Sequence, residues 1–353
     1  MINMTMQSKK KLALIGAGAI GATHIQIAEN SPDFELTTLV DPSEAAKALA
    51  QSRGIRWYAD YKTMLESDHP DGVIVATPNT THCDIATACL DRQIPVLVEK
   101  PITDTLSSAL QLVEAEARTG IPVLVGHHRR HNPILRQARN IVDSGVLGKP
   151  VSVTAMATFF KPDAYFDIAW HREAGAGPIL INLIHDIDML RFLVGDIDSV
   201  QAMTSNARRG YPVEDTAGAV LRFCNGAIGA VTTSDTTVAP WNWDLCAGEA
   251  AHYPRQTENT HFLSGSDGSL SLPGLDIWRY HEKKSWHAPL TQERSTPHLG
   301  NPYAEQLHHF AAMIDGRESA LCSSLDGMRT LEATLAIHQA ALTGQTVTLG
   351  SQA

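Results

Sequence analysis

Along the first third of the chain, short and nearly unbroken apolar runs alternate with longer segments of helical periodicity. The runs are Leu12–Ile15, Leu36–Val40, Val73–Ala76, Val96–Val98 and Val123–Val125. Rich in Val, Ile and Leu and lacking polar alternation, they read as parallel strands buried on both faces. Helices are predicted between them, over Ile20–Asn30, Ser43–Arg53, Thr81–Asp91 and Thr105–Thr119. Ser43 and Thr105 suit N-caps, and Gly54 and Gly120 suit helix stops. A βαβα order with short connections implies right-handed crossovers and a doubly wound parallel sheet.

The pattern changes near residue 150. After a predicted helix over Pro133–Asp143 and a turn over Gly145–Pro150, period-two alternation takes over at Val151, Val153, Ala155 and Ala157. It returns within 199–207, 216–223 and 227–236, and turn signals such as Asn225-Gly226 and Asp267-Gly268 punctuate the region. These features predict a mostly antiparallel sheet. One long helix is expected over Pro178–Val194, and residues 302–315 and 326–343 read as helical. The fold class is therefore α/β. A Rossmann domain is expected over 1–128 and a second α/β domain over 129–353, whose last helices are candidates to pack back on the first.

Composition narrows the partners. A length of 353 residues suits two domains of ~100–200 residues each. The net charge of −10, with no clustered basic stripe, argues against nucleic acid and anionic membranes and favours a small molecule. Five scattered cysteines without a CxxC pair argue against a disulfide framework and suit the cytoplasm. Lys9–Lys11 before Leu12–Ala22 imitates a signal peptide, yet three glycines interrupt that run. No stretch approaches the ~20 apolar residues of a membrane span. Sixteen histidines invite a metal reading, but no HExxH or Cys/His spacing supports one, and no metal is expected.

The segment Gly16-Ala17-Gly18-Ala19-Ile20-Gly21 is a GxGxxG placed after a strand and opening a helix. Gly16 permits the tight turn, Gly18 lets backbone approach a pyrophosphate, and Gly21 lets the helix pack on the strand. With Ala19 and Ile20, the helix start offers N–H groups to phosphate. A second strand ends at Asp41, twenty residues after Gly21, where an acid accepts hydrogen bonds from adenosine ribose hydroxyls. The competing reading is a glycine turn with Asp41 capping the next helix. Asp41 is followed by Pro42-Ser43, with no base to hold a 2′-phosphate, so NAD is expected over NADP.

Ala76-Thr77-Pro78-Asn79-Thr80-Thr81-His82 and Val98-Glu99-Lys100-Pro101 both follow predicted strands, at the carboxyl edge where ligands bind. With the fingerprint, the Gly145–Pro150 turn and the helix bearing His185-Asp186-Ile187-Asp188, the chain resembles the glucose–fructose oxidoreductase / inositol dehydrogenase (Gfo/Idh/MocA) family over nearly its whole length. The resemblance implies that Thr77, Asn79 and Glu99 line the nicotinamide and its ribose. It makes Lys100 the active-site lysine, followed by a proline that is often cis, and His185 the proton acceptor. It also implies a second domain with a large open sheet used for oligomerisation, hence a dimer or tetramer.

The chemistry needs both groups: a base for the hydroxyl proton and a cation beside the reacting oxygen. The competing readings are a surface lysine ending a strand for Lys100 and a satisfied core histidine for His185. One departure stands out. Relatives often carry an aspartate four residues before the histidine, where this chain has Ile181 followed by Asn182. Asp188 is the candidate replacement, with a helix-surface or buried structural acid as the alternative. Trp170 and Tyr303 match cofactor-side positions of the family, the latter with a core-packing alternative. Arg130, Arg172, Asn182 and Asp188 are the candidate substrate contacts, and Arg130 reads alternatively as pairing with an acid across the domain boundary.

The expected activity is NAD-dependent oxidation of a secondary alcohol on a sugar, cyclitol or sugar-acid derivative. Two alternatives share the fold: a glycoside-cleaving enzyme that recycles its NAD, and a non-catalytic ligand sensor.

Overall fold

The computed structural model describes residues 8–250 and 252–350. The chain forms two compact units, one of residues 1–131 with 301–328 and one of 132–300 with 329–353.

In the first unit, six parallel strands take the order β3-β2-β1-β4-β5-β6. They are β1 (Lys10–Ile15), β2 (Phe34–Val40), β3 (Arg56–Tyr58), β4 (Gly72–Val75), β5 (Val96–Val98) and β6 (Val123–Val125). The helices between them are α1 (Ala19–Glu29), α2 (Glu44–Arg53), α3 (Tyr61–Ser67), α4 (His82–Asp91) and α5 (Leu106–Thr119). Strand order reverses between β1 and β4, which is where a doubly wound sheet opens a crevice for a ligand. Ser43 caps α2 by accepting from Ala46 N–H, Thr105 forms a capping box with Ser108, and Gly54 and Gly120 end their helices in the left-handed region. β3 and α3 carry too few apolar positions to have been read from the pattern.

A later segment completes this unit. The helix Pro302–Ile314 buries Leu307, Phe310, Ala311 and Met313 in the same core as Leu12, Leu14 and Phe34. Phe310 stacks on Phe34 with ring centroids 5.9 Å apart. Gly72 makes room for it, since a Cβ there would lie 2.9 Å from the Phe310 ring.

The second unit is built on a nine-stranded sheet of order β14-β13-β12-β11-β7-β10-β9-β8-β15. Its strands are β7 (Pro150–Thr158), β8 (Ile197–Ser205), β9 (Thr216–Phe223), β10 (Ile228–Ser234), β11 (His261–Gly265), β12 (Gly268–Leu272), β13 (Asp276–Tyr280), β14 (Leu290–Arg294) and β15 (Val347–Thr348). All pairings are antiparallel except β7 with β10. The helices are α6 (Pro133–Asp143), α7 (Ile184–Val194) and α8 (Trp243–Cys246); the helix Pro302–Ile314 is α9, and α10 is Ser324–Thr343.

One face of this sheet is core: Val153, Ala155, Leu221, Val231, Leu263 and Leu270 are buried with Leu190 and Ile337. The register places Val220, Ala230, Thr154 and Phe262 in one row on the opposite face. That face is open, with Met203 82% exposed and Val220, Phe262 and Trp278 partly so. The single long helix expected over Pro178–Val194 is a π-helical turn, Ile179–Leu183, running into α7.

Phe310→Ala is expected to cost the first unit about 3–5 kcal/mol, the scale for truncating a buried phenylalanine. Urea unfolding of the purified variant measures this. A loss below ~1 kcal/mol would show that α9 contributes little to that core.

Candidate cofactor and catalytic site

The phosphate loop is held from both sides. Gly16 adopts φ +100°, donates its N–H to Val40 O at 2.8 Å, and leaves so little room that a Cβ would sit 2.5 Å from Ala76 O. A Cβ on Gly21 would sit 2.2 Å from Gly16 O, so the helix starts directly on the turn. Gly18 and Ala19 are exposed, Ile20 half-buried, and no side chain caps α1. The start of α1 can therefore bind phosphate, where α2, α3, α5, α6 and α9 are capped by their own side chains.

Asp41 follows β2. Its carboxylate accepts from Ala17 N–H and Ser43 N–H, both at 2.9 Å. Burial opposes its charge, but these bonds outweigh it and hold the carboxyl below its usual range. It thus braces the loop and the next helix, and as an ionised acceptor fits a ribose diol. The donor set therefore fits a dinucleotide on observations of this chain alone.

At the carboxyl ends of β4 and β5 lie the two other motifs. Thr77 and Asn79 are half-buried, and Thr81 donates to Thr77 Oγ1 at 2.7 Å. His82 is buried, with Nε2 2.9 Å from Thr77 O and Nδ1 3.0 Å from Pro101 O. Lys100 is half-buried, and its peptide bond to Pro101 is cis.

Glu99 is buried beneath them. Its Oε1 lies 2.8 Å from His24 Nε2 on α1, and its Oε2 accepts from Lys100 N–H at 3.1 Å. Burial alone would raise its pKa; the His24 hydrogen bond and the charges of His24, His128 and Lys100 prevail and hold it below the usual carboxylate range. Gly126 is needed beside it, because a Cβ there would meet the Glu99 side chain at 2.9 Å. Tyr303 joins this group. Its ring stacks on His128 at 4.3 Å and meets His24 edge-on at 5.9 Å.

Other expected positions lie elsewhere. Arg130 is 4% exposed and donates to Leu321 O at 2.7 Å, with Asp326 at 3.9 Å. Both of these contacts lie within the first unit. Asp188 is 1% exposed and accepts from Thr330 Oγ1 at 2.9 Å.

The second unit carries the rest. His185, Ile181 and Asn182 are half-buried. The turn before His185 is π-helical: Ile184 N–H bonds Ile179 O, an i→i−5 link. The extra residue rotates the helix, so the α-helical rule that positions four apart share a face does not carry over from Ile181 to His185. Glu214 closes the N-terminal end, accepting from Ile179 N–H at 3.2 Å, and a Cβ on Gly177 would overlap its carboxylate. Asp186 faces inward and pairs with His261 at 3.1 Å. Trp170 is 52% exposed on a 3₁₀ turn, against His171, and Arg172 is half-buried.

Sequence reasoning gave no role to His24, His82, Glu214 or His261. His24 lies three residues after Gly21 and 75 before Glu99, so only folding reveals that pair. Among the described residues no group of His, Cys, Asp and Glu could hold a metal, and no helix is long and apolar enough to cross a membrane.

The profile of the GFO/IDH/MocA oxidoreductase family, described as an NAD-binding Rossmann fold, matches residues 10–127, and that family's C-terminal domain profile matches 135–271. An inositol 2-dehydrogenase of Mycolicibacterium gilvum is 31% identical over 80% of this chain and 76% of its own. A scyllo-inositol 2-dehydrogenase (NAD(+)) of Bacillus subtilis is 26% identical over 98% and 97%. The crystal structure of scyllo-inositol dehydrogenase from Lactobacillus casei, with bound NAD(H) and scyllo-inositol, superposes with a TM-score of 0.78 over 98% of this chain and 100% of its own. At 19% identity that likeness speaks for the fold.

Glu99→Gln is expected to destabilise the protein at pH 7 by roughly 1–3 kcal/mol, the cost of breaking a buried charged pair's hydrogen bonds. The folded pKa lies below the unfolded value of about 4.3, so this stabilisation is present above 4.3 and fades as pH falls through the folded value. Unfolding measured from neutral to acidic pH should show the gap between wild type and variant closing. A gap that widens on acidification would mean that Glu99 is not held ionised.

Proposed function

Because this chain belongs to the GFO/IDH/MocA oxidoreductase family, we propose that it oxidises a secondary alcohol of a cyclitol, sugar or sugar-acid derivative with NAD. The observation that carries the reading is one edge of one sheet: an uncapped phosphate loop, the ribose-side Asp41, and Lys100 anchored through its N–H to ionised Glu99.

In this reading Gly16, Gly18, Ala19 and Ile20 take the phosphates, Asp41 the adenosine ribose, and Thr77, Asn79, Glu99 and Tyr303 the nicotinamide side. Bound NAD supplies the hydride acceptor. Lys100 stabilises negative charge developing on the alcohol oxygen, and His185 takes the hydroxyl proton, an imidazole being suited to that exchange near neutral pH. Asn182, Arg172, Arg130 and Asp188 are the candidate substrate contacts. Trp170 is retained on the cofactor side. The open face bearing Met203, Val220 and Phe262 is the surface on which a second copy packs, making a cytoplasmic homo-oligomer.

A screen of cyclitols, sugars and sugar acids, read by NADH absorbance with NAD and NADP in parallel, tests the proposal. NADH should accumulate with at least one cyclitol or sugar, and Asp41→Ala should narrow the preference for NAD. Equal or better turnover with NADP would overturn the cofactor assignment. Glycoside cleavage without NADH release would instead identify cofactor recycling.

On the substrate so identified, Lys100→Met should raise the barrier by roughly 2–4 kcal/mol, the scale of losing one oxyanion donor. His185→Ala should lower kcat by about 10²–10⁴-fold and remove the acidic limb of the kcat/KM profile. An unchanged acidic limb would assign the proton to another group.

A further inference from the structure

The ladder between β4 and β5 ends early. Val75 pairs with Val98, Glu99 N–H donates to Val75 O at 2.9 Å, and beyond these residues the two strands no longer pair with each other. The backbone that carries Thr77 and Asn79 and the backbone that carries Lys100 are therefore no longer spaced by strand pairing. One buried side chain stands between them. His82, on the first turn of α4, has Nε2 2.9 Å from Thr77 O and Nδ1 3.0 Å from Pro101 O.

We propose that His82 is a positioning residue that sets the separation of the Thr77–Asn79 and Lys100–Pro101 segments, and so of the groups meant to meet the cofactor. Two features favour a gauge over a space-filler. An apolar side chain would remove the ring N–H from which one of these carbonyls accepts, and a carbonyl left without its donor in a buried site is costly. The imidazole is also flat and rigid, so whichever nitrogen carries the proton donates to one carbonyl while the packed ring fixes the distance to the other. Burial pushes its pKa down, which keeps the ring in that neutral form. His82 touches no reacting group; it acts through Lys100 and Thr77.

The two sides of the ring can be tested separately. An asparagine amide nitrogen is the same number of bonds from Cβ as Nδ1, and a glutamine amide nitrogen the same number as Nε2. His82→Asn therefore keeps the contact to Pro101, and His82→Gln keeps the contact to Thr77. Amide hydrogen exchange should rise over residues 77–81 in His82→Asn and over residues 100–103 in His82→Gln. In His82→Phe both segments should exchange faster, and the Kd for NADH, measured by its fluorescence, should rise roughly three- to tenfold, the scale of one or two hydrogen bonds.

Equal loosening of both segments in the Asn and Gln variants, in step with lower global stability, would reduce His82 to a core residue and overturn the proposal. So would unchanged exchange in the Phe variant. Should the Phe variant fail to fold, the two amide variants still decide the matter. The inference rests on the nicotinamide-binding reading but not on any substrate. Failure of the wild type to bind NADH would count against that reading, and loss of segment-selective exchange against this one.

Discussion

The edge of the first sheet depends on one close approach, that of the Gly16 turn to the backbone leaving β4. With no side chain at Gly16, the turn lies against Ala76 and Thr77, where a Cβ would be 2.5 Å from Ala76 O. That contact places the end of β1 beside the end of β4 at the reversal of strand order, and Asp41 fixes the turn from the β2 side through Ala17 N–H. Three consecutive neighbours in the sheet thus meet at one point. A ligand phosphate would face backbone there, with no side chain in the way.

The second constraint is electrostatic. Glu99 gives up water, and it stays ionised because His24 reaches it from α1 and Lys100 N–H from its own strand end. Removing either partner of such a pair costs more than the pair contributes, since the survivor is left buried without compensation. The phosphate-binding helix and the lysine-bearing segment are thereby linked through one carboxylate. Tyr303, contributed by a segment late in the chain, closes the same group through His24 and His128.

What the sequence disclosed follows from the kind of strand involved. β4, β5 and β6 throughout, and β1 from Leu12 on, are buried on both faces and so appear as apolar runs, β2 is so only toward its Leu39–Val40 end, and the glycine fingerprint is a local backbone requirement. The strands from His261 to Arg294 escaped notice because they are half-exposed and interleave leucines with Ser, Thr and charged residues. The π turn at Ile179–Leu183 leaves no mark in composition, and it alters which residues share a face with His185. That Arg130 and Asp188 are buried could not be read in advance, because charge is visible in a sequence and burial is not. The Glu99–His24 pair joins residues 75 apart and belongs to the tertiary structure alone.

A nine-stranded open sheet carries a hazard, for its two rims could each recruit a further strand from another molecule. One rim, β15, is only two residues long, too short a template for a register to take hold. The other, β14, ends in Gln292, Glu293 and Arg294, all exposed, so an added strand would have to accommodate polar and charged side chains on both faces. Growth in the plane of the sheet is thereby discouraged, while its broad open face stays accessible. Association by stacking closes after one partner, whereas association by rim addition would continue into a fibre. The layout of this sheet permits the first and guards against the second.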